Sequence, residues 1–249
     1  MPARLSPTLS AQKCHNERVS PRSNHLPEVR RLTCAICNVR KEKRFCLALH
    51  GRICAQCCGE QREITLDCPS ECTYLQQARQ HEKPRNFEDL PADEVFPSIG
   101  VPEDFLHDRE PLIAGLLQTL GRIAATDRSL NDRELIGALA NMARSYQTLI
   151  GSGLVYQEIT PNPSQQGIIE ILRKLLDEFR HVEQKHLGYS SLKDGDILRA
   201  LVFSLRLAHL NTSGRPRSRA FIDFLQERFA GSLPSQDATE GSSSQIILP

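Results

Sequence analysis

Hydrophobic residues recur every three or four positions from about residue 108 to residue 229. This period places them on one face of an α-helix and predicts four long amphipathic helices followed by a shorter one. The predicted inward-facing positions are Leu112, Ile113, Leu116, Leu117, Leu120 and Ile123; Leu135, Leu139, Met142, Tyr146 and Leu149; Ile168, Ile171, Leu172, Leu175, Leu176 and Phe179; Ile197, Leu198, Leu201, Val202 and Leu205; and Phe221, Ile222, Leu225 and Phe229.

The predicted helices carry recognisable ends. The motif NDRE at 131–134 is a capping box, in which Asn131 and Glu134 satisfy each other's free amides. Gly151 and Gly153 predict the end of that helix. Because the connections are short and polar, the pattern is typical of an all-α helical bundle over residues 105–230.

The flanking segments differ in composition. Residues 1–30 are basic and rich in Ser, Pro and Asn, which predicts a disordered leader that contains the isolated Cys14. Residues 84–104 contain four prolines and are predicted to be a linker. Residues 231–249 are rich in Ser and predict a disordered tail.

Residues 31–83 contain eight of the nine cysteines, in closely spaced pairs. Structural zinc takes four ligands, and C-x2–4-C pairs bring two thiolates to one ion. Eight thiols therefore predict two structural zinc ions, with no thiol left over. So short a segment needs a metal to fold, because it contains few large apolar side chains.

The adjacent Cys57 and Cys58 suggest how the ligands divide. In an extended segment, neighbouring side chains point to opposite faces, so these two thiols would serve different ions. The predicted first site is Cys34, Cys37, Cys54 and Cys57, and the predicted second site is Cys46, Cys58, Cys68 and Cys72. His50 is an alternative to Cys58, because Cys46-x3-His50 is also a ligand spacing. His81, on a predicted short helix, is interpreted as a surface histidine.

Other thiol chemistry remains open. An iron–sulfur cluster also uses four cysteines, although the compact ferredoxin spacing is missing. A disulfide framework requires an oxidising compartment, which nothing in the sequence indicates. A catalytic zinc site keeps one coordination position open, whereas an all-cysteine set is typical of a structural site.

The spacing and the surrounding residues carry a resemblance. The segment CAICNVRKEKRFCLALHGRICAQCCGEQREITLDCPSECTYLQQARQHEKP resembles the N-terminal module of a group of uncharacterised bacterial proteins that share the order CxxC, C, CxxCCG and CPxxCxYL. SGLVYQ and GRPRSRAFIDFL are similar to that group as well. The resemblance implies a zinc-binding module followed by a helical domain, and it brings no activity. The order of cysteine pairs is also loosely similar to cross-brace zinc folds of the B-box and HIT kind.

The charge distribution suggests nucleic-acid binding as one possible function. Residues 1–85 contain 15 Lys and Arg against 8 Asp and Glu, a formal charge of +7, and include the basic run 40–44. Eight thiolates and two zinc ions would reduce that charge to about +3. Aromatic side chains on which bases could stack are limited in the module to Phe45 and Tyr74. A second basic group, Arg215, Arg217 and Arg219, fits either a solvated first helical turn or a phosphate site.

The sequence predicts a non-catalytic zinc-binding protein with an interaction, adaptor or regulatory role. No P-loop, GxGxxG, GxSxG or HExxH motif occurs in the chain. The predicted partner is a protein. Nucleic-acid binding is the first alternative, and an iron–sulfur or thiol redox sensor is the second. No membrane association is predicted. The first twenty residues lack a secretory signal's apolar core, so we expect a cytoplasmic location.

Overall fold

The computed structural model describes residues 33–154 and 162–231. These residues fall within one compact unit of the chain. The predicted leader and nearly all of the predicted tail lie outside the described residues. The elements are β1 (Arg44–Cys46), β2 (Gly51–Ile53), α1 (Ala55–Gln61), α2 (Thr73–His81), α3 (Ala92–Val95), α4 (Glu103–Asp108), α5 (Glu110–Thr126), α6 (Asp132–Ser152), α7 (Pro163–Leu187), α8 (Asp194–Asn211) and α9 (Ala220–Arg228).

The described residues form a mostly helical domain after a small cysteine-rich region with one two-stranded sheet, which confirms the coarse fold prediction. Helix α6 packs against α7 and α8, while α5 contacts α7, α8 and α9. Nearly all the predicted inward-facing side chains belong to the hydrophobic core between these helices. The exceptions are Leu149, which is partly exposed and outside the core, and Ile171, which is 42% exposed while Ile169 is buried. The predicted face of α7 was therefore wrong at this position.

The ends of α6 follow the sequence prediction. Asn131 accepts a hydrogen bond from the amide of Arg133, and Glu134 accepts one from the amide of Asn131. Gly153 ends the helix with a left-handed backbone at φ +69°. Glycine is favoured there because a Cβ atom disfavours this conformation.

The segment predicted as a linker packs against the helical domain. Each of its short helices follows a proline, α3 after Pro91 and α4 after Pro102. The guanidinium of Arg206 donates to the backbone carbonyls of Val95, Phe96 and Ile99. These bonds satisfy carbonyls at the end of α3 and just after it, and they anchor the segment on α8.

Buried Asp132 joins two helices. Its carboxylate accepts hydrogen bonds from the amides of Phe221 and Ile222 at the start of α9. It also accepts from the hydroxyls of Thr212 and Ser218. The first residue of α6 thus supplies the acceptor that free amides at a helix N-terminus require.

In the part of the chain that the structure describes, no helix combines the length and the apolar character that are needed to span a bilayer.

Candidate metal centre

A short hairpin positions four of the cysteines. Strands β1 and β2 pair antiparallel, with Phe45 opposite Arg52. Cys34 and Cys37 lie in a turn before β1, and this turn is bound to β2 by the hydrogen bond from the Ala35 amide to the Arg52 carbonyl. Cys54 directly follows β2 and is the N-cap of α1. The hairpin therefore brings one C-x2-C pair beside the other.

Four sulfur atoms converge at this position. The Sγ atoms of Cys34, Cys37, Cys54 and Cys57 all lie within 4.8 Å of one another. Three of these residues are buried, and Cys37 is partly exposed. The four are the complete set predicted for the first zinc site, and their separation suits one metal ion.

Backbone amides point at the sulfurs. The amide of Ile36 donates to Cys34 Sγ at 3.4 Å, and the amide of Arg40 donates to Cys37 Sγ at 3.5 Å. At the start of α1, the amide of Cys57 donates to Cys54 Sγ at 3.3 Å. Such bonds favour the thiolate, which is the form that binds metal.

Arg40 supplies a positive charge beside the same thiols. Its Nη1 lies 3.8 Å from Cys54 Sγ and 3.7 Å from Cys57 Sγ. The hydrogen bond to Cys54 raises the pKa of Arg40, against the opposing effect of desolvation. Part of the basic run therefore compensates the charge of the thiolates.

The four thiols have unequal proton affinities. Burial alone would raise the pKa of Cys34, but hydrogen bonds from Cys37, Cys54 and Ile36 lower it to about 6. The amide of Cys57 lowers the pKa of Cys54. Burial and the neighbouring cysteines raise the pKa of Cys57 to about 12. Thiols this close disfavour full ionisation, and a divalent cation would supply the missing positive charge.

The donor set indicates the class of metal. Four thiolates suit zinc or an iron–sulfur centre. Four cysteine ligands complete a tetrahedral zinc shell and leave no position for substrate. The arrangement is therefore consistent with a zinc-binding module whose metal is structural.

The second predicted set stays a prediction. Cys46 and Cys58 are buried, whereas Cys68 and Cys72 are partly exposed. Among the described residues, the first set alone forms a convergent group of three or more potential ligands. Burial raises the pKa of Cys68, and the nearby charges of Cys72, Cys46 and Glu63 raise it further.

Cys58 has basic neighbours of its own. Its sulfur accepts from Arg44 Nη1 at 3.5 Å and from Arg62 Nη2 at 4.0 Å. His50, the predicted alternative to Cys58, lies in the exposed turn between β1 and β2, with a φ of +48°. His81 is exposed at the end of α2, as predicted for a surface histidine.

The extended backbone that the sequence analysis assumed for the adjacent cysteines was wrong. Cys57 and Cys58 both lie in α1. Consecutive side chains of an α-helix are about 100° apart, so the two sulfurs still diverge. Their neighbours show this, because Cys57 faces Arg40 while Cys58 faces Arg44 and Arg62.

A polar interface joins the cysteine-rich region to the helical domain, and the sequence analysis missed it. The buried carboxylate of Glu63 accepts from Arg79 Nη2 at 2.8 Å and from the Ser213 hydroxyl at 2.9 Å. Arg79 Nη1 also donates to Asp223 at 2.6 Å. The hydroxyl of Ser70 also donates to the carboxylate of Asp223, at 2.6 Å. Residues about 150 positions apart thus share one hydrogen-bond network.

The second basic group is part of the same packing. Arg215 donates to the carbonyl of Arg62, and Arg217 donates to Asp67 at 2.5 Å. Arg219 donates to the carbonyls of Arg128 and Leu130. Each of these arginines therefore contacts a distant part of the chain, although Arg217 is itself exposed.

Comparison of the chain with protein families, with curated proteins and with solved structures finds no match.

Proposed function

We propose that the protein is a non-catalytic interaction protein, with an adaptor or regulatory role, in which structural zinc maintains a protein-binding surface. The observation that carries this proposal is the pairing of a closed thiol site with an exposed apolar hairpin. Three of the four cysteines of the first site are buried, and all four lie in the segments that flank β1 and β2. The same hairpin presents apolar side chains outward.

The hairpin surface consists of Phe45, Leu47, Leu49 and Arg52. The three apolar residues are 48%, 37% and 45% exposed, respectively. Phe45 and Arg52 are directly paired in the sheet, so their side chains share its outer face. An exposed aromatic side chain beside an arginine is typical of the centre of a protein interface. Arg52 is held in this position by an ion pair with Glu42 at 2.5 Å.

The charge beside the hairpin favours one kind of partner. Lys41 and Lys43 are exposed next to β1. A partner segment with apolar side chains flanked by Asp or Glu would match both the hairpin and these lysines. We therefore propose an acidic, amphipathic protein segment as the occupant of the hairpin surface.

Nucleic acid is a poorer match for this surface. Arg40 and Arg44 both donate to cysteine sulfurs, which reduces the charge available for phosphates. The guanidinium of Arg44 also covers the ring of Tyr74, 4.6 Å from its centroid. Base stacking needs an open aromatic face. Of the module's two aromatic residues, Phe45 alone is largely exposed.

A photo-crosslinking amino acid at position 45 tests the proposal in living cells. The matched control carries the same amino acid at Tyr189, which is 64% exposed on the helical domain. We expect a protein adduct from position 45 and none from position 189. The identified partner, once purified, should bind the wild-type chain, bind Phe45→Ala at least tenfold more weakly, and lose binding after zinc is removed.

Three results would overturn the proposal. They are the lack of any adduct at position 45, an adduct that nuclease removes, and a crosslink that stays within one chain. A nuclease-sensitive adduct would identify nucleic acid as the partner. An intrachain crosslink would show that the protein covers this surface itself.

A further inference from the structure

A cleft of about 430 Å³ lies away from the cysteines and shares no residue with the hairpin surface. Its walls come from α3, α6, α7 and α8, from Arg85 before α3, and from the loop that follows α8. Small-molecule sites have volumes of roughly 300–1,000 Å³, so this cleft falls within the range of metabolite pockets.

Positive charge dominates the lining. Four arginines contribute to it, Arg85, Arg133, Arg144 and Arg215, against one carboxylate, Glu94. Arg215 and Arg144 have partners in the fold, since Arg215 donates to the carbonyl of Arg62 and Arg144 to Asn141. Arg215 Nη2 also lies 3.8 Å from Glu82 Oε1, whereas no ion pair of Arg85 or Arg133 occurs among the described residues. Clustered cations in a concave site concentrate anions there.

A buried histidine lies on the wall of the cleft. His209 on α8 is 4% exposed and lines the cleft. Its Nε2 has no hydrogen-bond partner in the described structure, and Glu94 Oε2 lies beyond bonding distance at 3.8 Å. Buried polar atoms in native proteins are almost always hydrogen-bonded. An acceptor oxygen in the cleft would satisfy this nitrogen.

Gly214, in the loop after α8, packs closely against the guanidinium of Arg85. A Cβ atom on Gly214 would lie 3.3 Å from the guanidinium carbon of Arg85, and Gly214 has a φ of +74°. Both facts favour glycine at this position. Arg85 also donates to the carbonyl of His209 at 3.3 Å, so the guanidinium and the imidazole are positioned together.

We propose that this cleft binds a small molecule through a dianionic phosphoryl group. Arg85 and Arg133 would pair with the phosphoryl oxygens, because the planar guanidinium matches phosphate geometry. His209 Nε2 would donate to one of the oxygens. Ile136, Ala140 and Pro216 form an apolar part of the lining. The volume exceeds that of phosphate alone, so these residues would contact the rest of a phosphorylated metabolite.

Calorimetric titration of the full chain tests the site, with inorganic phosphate, AMP and adenosine as probes at constant ionic strength. We expect saturable 1:1 binding of phosphate and AMP, and no binding of adenosine. Tighter binding of AMP would identify a phosphorylated metabolite as the ligand class, while equal affinities would identify free phosphate. Lack of saturation with both anions would overturn the proposal.

Variants locate the binding. Arg133 is exposed, so Arg133→Gln should fold and weaken anion binding about tenfold, the effect of one lost charge-assisted hydrogen bond. Arg228→Gln removes an exposed arginine on α9 and is the matched control, with unchanged binding expected. Equal losses in both variants would overturn the proposal, since they would indicate nonspecific electrostatics. The imidazole resonances of His209 should shift with phosphate in the wild type.

Discussion

Arg79 in α2 donates a hydrogen bond of 2.8 Å to Glu63, a carboxylate buried between the cysteine-rich region and the helical domain. Arg79 also pairs with Asp223 in α9 at 2.6 Å. Burial alone would lower the pKa of Arg79, but the two carboxylates raise it. One guanidinium therefore links a loop after α1 to the last described helix.

Loss of this guanidinium should destabilise the protein. We expect Arg79→Met to lower the free energy of unfolding by about 3 kcal/mol, because the buried charge of Glu63 would lose its partner. The double variant Arg79→Met, Glu63→Gln should recover part of the loss. Urea denaturation of both, beside Arg228→Met as an exposed control, measures the effect. A change of less than about 0.5 kcal/mol in Arg79→Met, typical of a surface substitution, would contradict the prediction.

Glu183 should make stability depend on pH. Burial alone would raise the pKa of Glu183, but hydrogen bonds from Ser191, Ser190 and Leu192 lower it below its ordinary value. A carboxyl group with a lowered folded pKa stabilises the protein above its unfolded pKa of about 4.3. That stability is lost as pH falls through the folded pKa.

The comparison of Glu183→Gln with wild type from pH 7 to pH 3 tests this prediction. We expect the variant to be less stable at pH 7 and the difference in free energy to shrink below about pH 4. Glu178→Gln, an exposed change on the same helix, should show no such convergence. A constant difference across the range would mean that the carboxylate charge is irrelevant.

The metal content tests the two predicted ligand sets separately. Elemental analysis of protein purified without added metal should find two zinc ions per chain. Cys34→Ser with Cys57→Ser should retain one, and Cys46→Ser with Cys72→Ser should retain the other. The second site would be contradicted if the wild type contained a single zinc ion and only Cys34→Ser with Cys57→Ser removed it. Iron with a visible charge-transfer band would favour the redox alternative.

Chelation of the metal should increase hydrogen exchange both in the cysteine-rich region and in a segment of the helical domain. Residues 34–82 should lose protection from hydrogen exchange, because the metal folds this segment. We also expect faster exchange at 213–219, since the amide of Arg217 donates to the carbonyl of Glu63. The interior of α6 and α8 should remain protected. Retained protection of 34–82 in fully metal-free protein would contradict this prediction.

The sequence alone was sufficient for the helices α5 to α9, for the ends of α6 and for the grouping of the first four cysteines. An apolar period of 3.6 residues is a local property, and so is the reach of Glu134 to the amide of Asn131. The pairs Cys34-x2-Cys37 and Cys54-x2-Cys57 also encode their geometry locally, because each spans a single turn. The hairpin that joins them is only a few residues long.

Tertiary structure alone decided the roles of the charged side chains. Arg217 and Asp67 are 150 positions apart, and nothing in either local sequence indicates that they pair. The cleft beside His209 likewise combines α6, α8 and the segment before α3. Hydrophobic burial acts on any apolar face of the right period, whereas a polar contact requires two specific atoms within about 3 Å. Only the packed chain determines which atoms meet.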